Sequence, residues 1–290
     1  APARPRRHLS VRLGVVGDLH LAFDHRDVEL LDAQGYDAIL LVGDIAGYSH
    51  RGGLATAHTI ATLRTPALAI PGNHDAAHVW QMAAEVLAAD RTLELLNFRQ
   101  MRRGRELAAA LGPVTMVGYS RHRVSGTLDV IAARPHSAGG PRLAFLPYLR
   151  QRFGVHDFED SARRIAAQVD ESDAEDVIFL AHNGPTGLGA RRDDLWGCDF
   201  RASEGDFGDA DLERAIEHAR GRVRAVVAGH MHHALRGGGT RAWQLERDGV
   251  LYVNAARVPR IFEREGAALR HHVELVIEGG VARAREVLLS

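Results

Sequence analysis

Three short apolar runs in the first 75 residues end in the same way, and that repetition limits the fold more than any other feature of the chain. Val11 to Val16 stops at Gly17 and leads into Asp18-Leu19-His20. Ala38 to Val42 stops at Gly43-Asp44. Ala67 to Ile70 stops at Pro71 and leads into Gly72-Asn73-His74-Asp75. Each run has the length of a strand, and predicted helices follow over 27–34, 53–64 and 76–89. The near-continuous apolar run at 38–42 is that of a parallel strand covered on both faces. Strand, turn and helix repeated three times predict a parallel sheet with right-handed crossovers. Open α/β sheets bind ligands past the C-terminal ends of their strands, where the polar residues of all three repeats fall.

The pattern returns further on. Residues 90–111 are read as an Arg-rich helix, 113–119 and 127–133 as strands, 134–142 as a Pro/Gly-rich loop and 158–170 as a helix. Asp176 to Leu180 is a strand that ends at His182-Asn183-Gly184-Pro185. Residues 184–208 are too long and irregular for a connector and are read as a functional loop. A helix over 209–220 precedes the strand Arg224 to Ala228, which ends at Gly229-His230-Met231-His232. Strands near 242–247, 250–254, 271–278 and 281–288 predict antiparallel pairing, with Asp248-Gly249 as a hairpin turn. Residues 1–10 are read as a flexible basic tail. Residues 11–290 are expected to form one domain, with loop insertions near 119–142 and 184–208.

Composition excludes several partners. The 290 residues are 46% hydrophobic and 25% charged, enough apolar material for a substantial core. A net charge of −1 gives no global field for nucleic acid or an anionic membrane. Cys198 is the only cysteine, so no internal disulfide is available. No apolar run approaches the ~18–20 residues that span a bilayer, and none has signal-peptide character. The expectation is a cytoplasmic protein without a membrane partner. All 36 basic residues are Arg, and there are 17 His.

Those histidines are concentrated where the strands end. Asp18 and His20, Asp44, Asn73 and His74, His182, and His230 and His232 follow five separate strands. In an extended segment the i, i+2 spacing of Asp18/His20 and of His230/His232 turns both side chains to one side. Imidazole and carboxylate ligands without thiolate suit Mn, Fe, Zn, Co or Ni. Eight such residues at one end of a sheet exceed what one ion needs. Two ions ~3.5–4 Å apart with a shared carboxylate would use them.

Taken in order, Asp18-x-His20, Gly43-Asp44, Gly72-Asn73-His74-Asp75, His182 and Gly229-His230-x-His232 resemble the motifs of the calcineurin-like metallophosphoesterase superfamily. The stretch 133–142 and the run 182–189 also resemble a little-characterised bacterial and plastid branch of it. The resemblance implies a four-layer α/β/β/α sandwich of two mixed sheets, the chain after 240 contributing the second sheet. It implies two divalent metal ions, with manganese expected in vitro and Fe, Zn, Co, Ni or Mg as alternatives. Asp18, His20, Asp44 and His232 would hold the first ion. Asp44, Asn73, His182 and His230 would hold the second, with Asp44 bridging. A bridging water, deprotonated under two dications, would attack phosphorus in line. Protonated His74 would stabilise the phosphoryl charge or protonate the leaving oxygen. Asp75 would orient His74 or the backbone. Protein phosphatases of the superfamily carry Asp-Arg-Gly shortly after the second motif, whereas Gly43-Asp44 is followed here by Ile-Ala-Gly-Tyr.

The expected substrate is a small-molecule phosphoester, of phosphodiester or nucleotide type. The rivals are a phosphomonoesterase of small metabolites and a metal-bearing scaffold for a protein partner. Arg191 and Arg192 are candidates to clamp a second phosphate, against a plainer role in a solvated loop. Trp196 would stack a base or cap the site, or else anchor the core. Tyr48 is expected to pack beside the bridging Asp.

Overall fold

The first strand, β1 (Val11–Val16), is buried on both faces. In chain order it is followed by α1 (His25–Asp32), β2 (Ala38–Leu41), α2 (His50–Ile60), β3 (Ala67–Ala69), α3 (Val79–Val86), α4 (Asp90–Ala110) and β4 (Thr115–Met116). Then come β5 (Ser120–Arg123), β6 (Leu128–Ala132), α5 (Leu146–Phe153), α6 (Phe158–Asp170), β7 (Asp176–Leu180), α7 (Ala210–His218) and β8 (Val223–Ala228). The chain closes with β9 (Gln244–Arg247), β10 (Val250–Asn254), β11 (Ile261–Arg264), β12 (Ala267–Glu278) and β13 (Val281–Leu289). This computed structural model describes residues 10–200 and 205–290. The basic tail expected over 1–10 lies, but for Ser10, outside them.

Among the described residues the strands form two mixed sheets. The first has seven strands in the order β11-β12-β1-β2-β3-β4, with β13 on the other side of β12. The second has six, in the order β5-β6-β7-β8-β10-β9. Strands β1 to β4 run parallel, as the repeated strand–turn–helix units predict. In the second sheet β6, β7, β8 and β10 also run parallel.

Alternation along the strands divides the core into layers. Leu13, Val15 and Leu40 from one sheet meet Val130, Ile178 and Val227 from the other, and this forms the seam between the sheets. Ile39 and Leu41 point the opposite way, onto Ala57, Ile60 and Leu107 of the helices outside the first sheet. Ile131, Phe179 and Val226 likewise meet Leu149, Ile165 and Leu212 outside the second. The result is the α/β/β/α sandwich. Local signals set the ends of its helices. Asp24 accepts from the Arg26 and Asp27 amides while the Asp27 carboxylate accepts from the Asp24 amide at 3.0 Å, so α1 begins at a capping box. Asp157 starts α6 through the Asp160 amide at 2.7 Å.

The chain after 240 departs from expectation. It does not make the second sheet by itself, nor does it pair only antiparallel. β9 and β10 form the expected hairpin through Asp248 and Gly249, both at positive φ, but β10 then runs parallel to β8. β11 to β13 cross to the first sheet, where β12 pairs antiparallel with the open side of β1. Two elements carry weak sequence signals. β5 is polar along its whole length and pairs only with β6, so it has no buried face to show as periodicity. α5 contains Pro147, which is tolerated because it lies in the first turn. The strand expected over 113–119 shrinks to Thr115–Met116.

Candidate functional site

Strands from both sheets end at one edge, and the five motifs meet there. Asp18 and His20 follow β1, Asp44 follows β2, Asn73 and His74 follow β3, His182 follows β7, and His230 and His232 follow β8. The i, i+2 pairs do share a side, but strand alternation is not the cause. Asp18, His20, Asp44 and His230 all have positive φ, at 21, 42, 49 and 69°. Left-handed backbone costs about 1–3 kcal/mol at a residue other than glycine and clusters at functional sites. Residue types alone gave no sign of it.

Two groups of ligand atoms result. Asp18, His20 and His232 form one, and Asp44, His182 and His230 the other; within each, the atoms lie within 4.8 Å of one another. His232 Nε2 is 3.4 Å from Asp18 Oδ2, and His20 Nε2 is 3.2 Å from His232 Nε2. Asn73 joins the second group: its Oδ1 is 3.0 Å from His182 Nε2 and 3.1 Å from His230 Nδ1. Asp44 faces both groups. Its Oδ1 is 3.5 Å from His182 Nε2, and its Oδ2 is 3.7 Å from His20 Nε2.

The donor set fits divalent cations. His182 Nδ1 donates to the Val42 carbonyl at 2.7 Å, so Nε2 presents a lone pair. That lone pair faces the Asn73 carbonyl oxygen, another acceptor, and a shared cation reconciles the two. Burial pushes the imidazoles toward the neutral form that metals bind: His230 falls to about 3, and His20 and His182 fall as well. Burial, together with the charges of Asp18 and Asp75, raises the Asp44 carboxyl well above the usual carboxylate range. Carboxylates this deep need positive charge beside them. Two glycines make room for them. A Cβ at Gly72 would lie 2.2 Å from Asp44 Oδ1, and one at Gly229 would lie 2.2 Å from Asp18 Oδ1.

His74 lies at the rim. Its amide donates to Asp44 Oδ1 at 2.9 Å, and its Nε2 is 4.0 Å from Asp44 Oδ2. Burial and the neighbouring imidazoles of His20 and His182 push it down to about 4. That direction favours the neutral imidazole in the protein free of substrate. Asp75 is fully buried and accepts from the Ala46 amide at 2.7 Å and the Gly72 amide at 2.8 Å. Both oxygens hold backbone amides, an arrangement that orients the turns after the second and third motif strands.

Residues 11–234 match the model of the calcineurin-like phosphoesterase family. The chain belongs to that family. This calcineurin-like phosphoesterase is thus a metal-dependent phosphoric ester hydrolase, and the family works with dinuclear divalent centres. No curated protein matches it in sequence. Solved structures share its fold at low identity. TT1561 of Thermus thermophilus is 12% identical with a TM-score of 0.54, over 96% of this chain and 99% of that one. A dimetal phosphatase from Danio rerio is 11% identical with a TM-score of 0.53, over 97% and 98%. The NAD nucleotidase NadN of Haemophilus influenzae is 11% identical with a TM-score of 0.52, over 98% of this chain and 50% of that one.

The candidate substrate residues of this phosphoesterase are placed less as expected. A cavity of about 470 Å³ opens over Asp44, Asn73, His74, His230 and His232. Tyr48 lines it, largely exposed, its ring edge-on to His74 at 5.0 Å, so it flanks the rim instead of packing beside Asp44. Trp196 is fully buried and donates to the Gly229 carbonyl at 3.3 Å, so it anchors the core and caps nothing. Arg191 is paired with Asp193 at 2.6 Å, and Arg192 donates to the Arg236 carbonyl at 2.8 Å; both border a separate hollow. Arg142, Phe200, Phe207 and Arg236 line the cavity in their place. Their signal was positional, since all but Arg236 lie in the two loops read as irregular. His136 was also missed. It is buried, and its Nδ1 donates to the Gly72 carbonyl at 2.9 Å while its amide donates to the Pro71 carbonyl at 2.7 Å, which clamps the third motif.

Proposed function

We propose that this phosphoesterase hydrolyses a phosphodiester or nucleotide-type small molecule at the edge where the two ligand groups meet. The observation that carries this reading is the Asp44 carboxylate, with one oxygen toward His182 and the other toward His20. Asp18, His20 and His232 with Asp44 would hold one divalent ion, and Asn73, His182 and His230 with Asp44 the other. When bound, such a pair activates water at neutral pH and neutralises phosphoryl charge. Manganese is the ion proposed for assay.

The chain's own residues supply the rest. The Val42 carbonyl fixes the His182 tautomer, and the Asp18 carboxylate accepts from the His230 amide at 3.0 Å, which sets the turn that carries His230 and His232. His74 donates an N–H to a phosphoryl oxygen, and Tyr48 stands edge-on beside it at the rim. Transfer of a proton from His74 to the leaving oxygen requires the phosphoryl charge to raise its pKa from about 4. We propose further that residues 11–290 act as one catalytic domain, because both sheets contribute ligands, and that the loops at 119–142 and 184–208 set selectivity.

The Mn-loaded protein, assayed on bis-p-nitrophenyl phosphate and p-nitrophenyl phosphate, tests the reading. Turnover of the diester is expected. Turnover of the monoester alone would transfer the proposal to a phosphomonoesterase. Turnover of neither, in protein shown to hold metal, would favour a scaffold.

A further inference from the structure

The cavity contains a cation for which the chemistry above has no use. Arg236 lines it and is exposed. Its guanidinium carbon lies 5.7 Å from the centre of the Phe200 ring, and Phe200 stands edge-on to Phe207 at 5.1 Å. The backbone of Arg236 is held at both ends. Its amide donates to Asp199 Oδ2 at 2.7 Å, and its carbonyl accepts from Arg192 at 2.8 Å.

The neighbouring charges are already engaged. Asp199 lines the same wall, but its second oxygen faces the Arg241 guanidinium at 3.6 Å. Arg142, also lining the cavity, is paired with Asp90 at 3.1 Å. Among the described residues no carboxylate pairs with the Arg236 guanidinium. A guanidinium over an aromatic ring is weakly hydrated and keeps its planar fork free for two parallel bonds to an oxyanion. The cavity floor is the metal edge, so an anion on Arg236 belongs to the molecule whose phosphoester lies there.

We propose that Arg236, backed by Phe200, is a specificity-determining residue that binds a phosphate of the substrate other than the scissile one. The preferred substrates are then phosphodiesters that carry a further phosphate. This rests on the phosphodiester reading above.

Two chromogenic esters that differ only in the distal group test it: thymidine 5′-(p-nitrophenyl phosphate) and its 3′-phosphorylated counterpart. The Mn-loaded protein should favour the 3′-phosphorylated ester roughly tenfold in kcat/KM, mainly through KM, the scale of one charge-assisted contact. In Arg236→Gln the ratio between the two esters should collapse toward unity. The affinity for thymidine 3′,5′-bisphosphate, read by calorimetry, should weaken by about the same factor. An equal rate on both esters in the unmodified protein overturns the inference and leaves the phosphodiester reading standing, as does a ratio or an affinity unchanged in the variant. Turnover of neither ester overturns both.

Discussion

Asp44 is the residue that faces both ligand groups, one oxygen toward His182 and the other toward His20. Asp44→Asn keeps the shape but removes the charge that two cations would share. Metal content and activity are expected to fall together, read by elemental analysis and by diester rate on the same sample. A variant that keeps two metals and full rate would remove Asp44 from the bridging position. His74 is separable. It touches Asp44 but completes neither ligand group. His74→Gln should retain metal and lose roughly 10²- to 10⁴-fold in rate, the range for a positioned proton-handling group. A loss that grows with leaving-group pKa assigns His74 to proton transfer. An equal loss across leaving groups assigns it to charge stabilisation, the role a neutral ring with a depressed pKa fills more readily. At this scale the residue types were legible in the sequence and the backbone angles were not, since strain at Asp18 or His230 comes from the surrounding contacts and not from any local preference.

The elements are held to one another by buried polar contacts that sequence periodicity does not report. Arg134, just past β6, is almost fully buried and pairs with Asp209 at 2.7 Å and Asp211 at 2.8 Å at the start of α7. Ser137 Oγ donates to Asp209, and Ser161 of α6 donates to Asp211. Arg134→Ala leaves two carboxylates buried without their cation. A loss of about 3–5 kcal/mol in urea unfolding is expected, the cost of breaking a buried pair from one side. A loss below about 1 kcal/mol would class the pair with surface bridges instead. The contact between α3 and α5 behaves differently. Glu85 accepts from the Phe145 amide at 2.6 Å, and burial pushes its carboxyl up to about 7. Between the usual carboxylate range and pH 7 the folded chain holds a proton that the unfolded chain has released, so stability falls as pH rises through that window and then levels off. Glu85→Gln retains the acceptor without the charge. In metal-free protein it should melt with the wild type at about pH 5 and above it at about pH 8. Identical melts at both pH values would place the titration elsewhere.

At the scale of the whole molecule, legibility followed burial. The parallel strands β1, β2, β3, β7 and β8 are apolar and were read closely from the sequence, and the five motifs at their ends came with them. β5 and β11 lie toward sheet edges and are half exposed, so no buried face marked them. The division of the tail between two sheets was hidden for another reason. A strand's period shows that it has a buried face but not which open edge it pairs with. The arginines could not be told apart because exposed arginines look alike in sequence; only the fold shows Arg191 turned to Asp193 and Arg236 turned to the cavity. The same logic yields the molecule's response to metal removal. The ligand groups join the ends of strands from both sheets, so any ion held there ties the two halves of the sandwich together and binds the folded chain alone. Ligation of that kind stabilises by mass action, about 2.7 kcal/mol at a hundredfold excess over Kd. Chelation should therefore abolish diester turnover and lower the melting temperature by roughly 5–10 °C, with both restored on adding Mn. Loss of activity with no change in melting would mean that the ions bind the unfolded chain about as well as the folded one, since only preferential binding to the folded state stabilises. Retention of activity after verified removal would overturn the metal-dependent reading of the site.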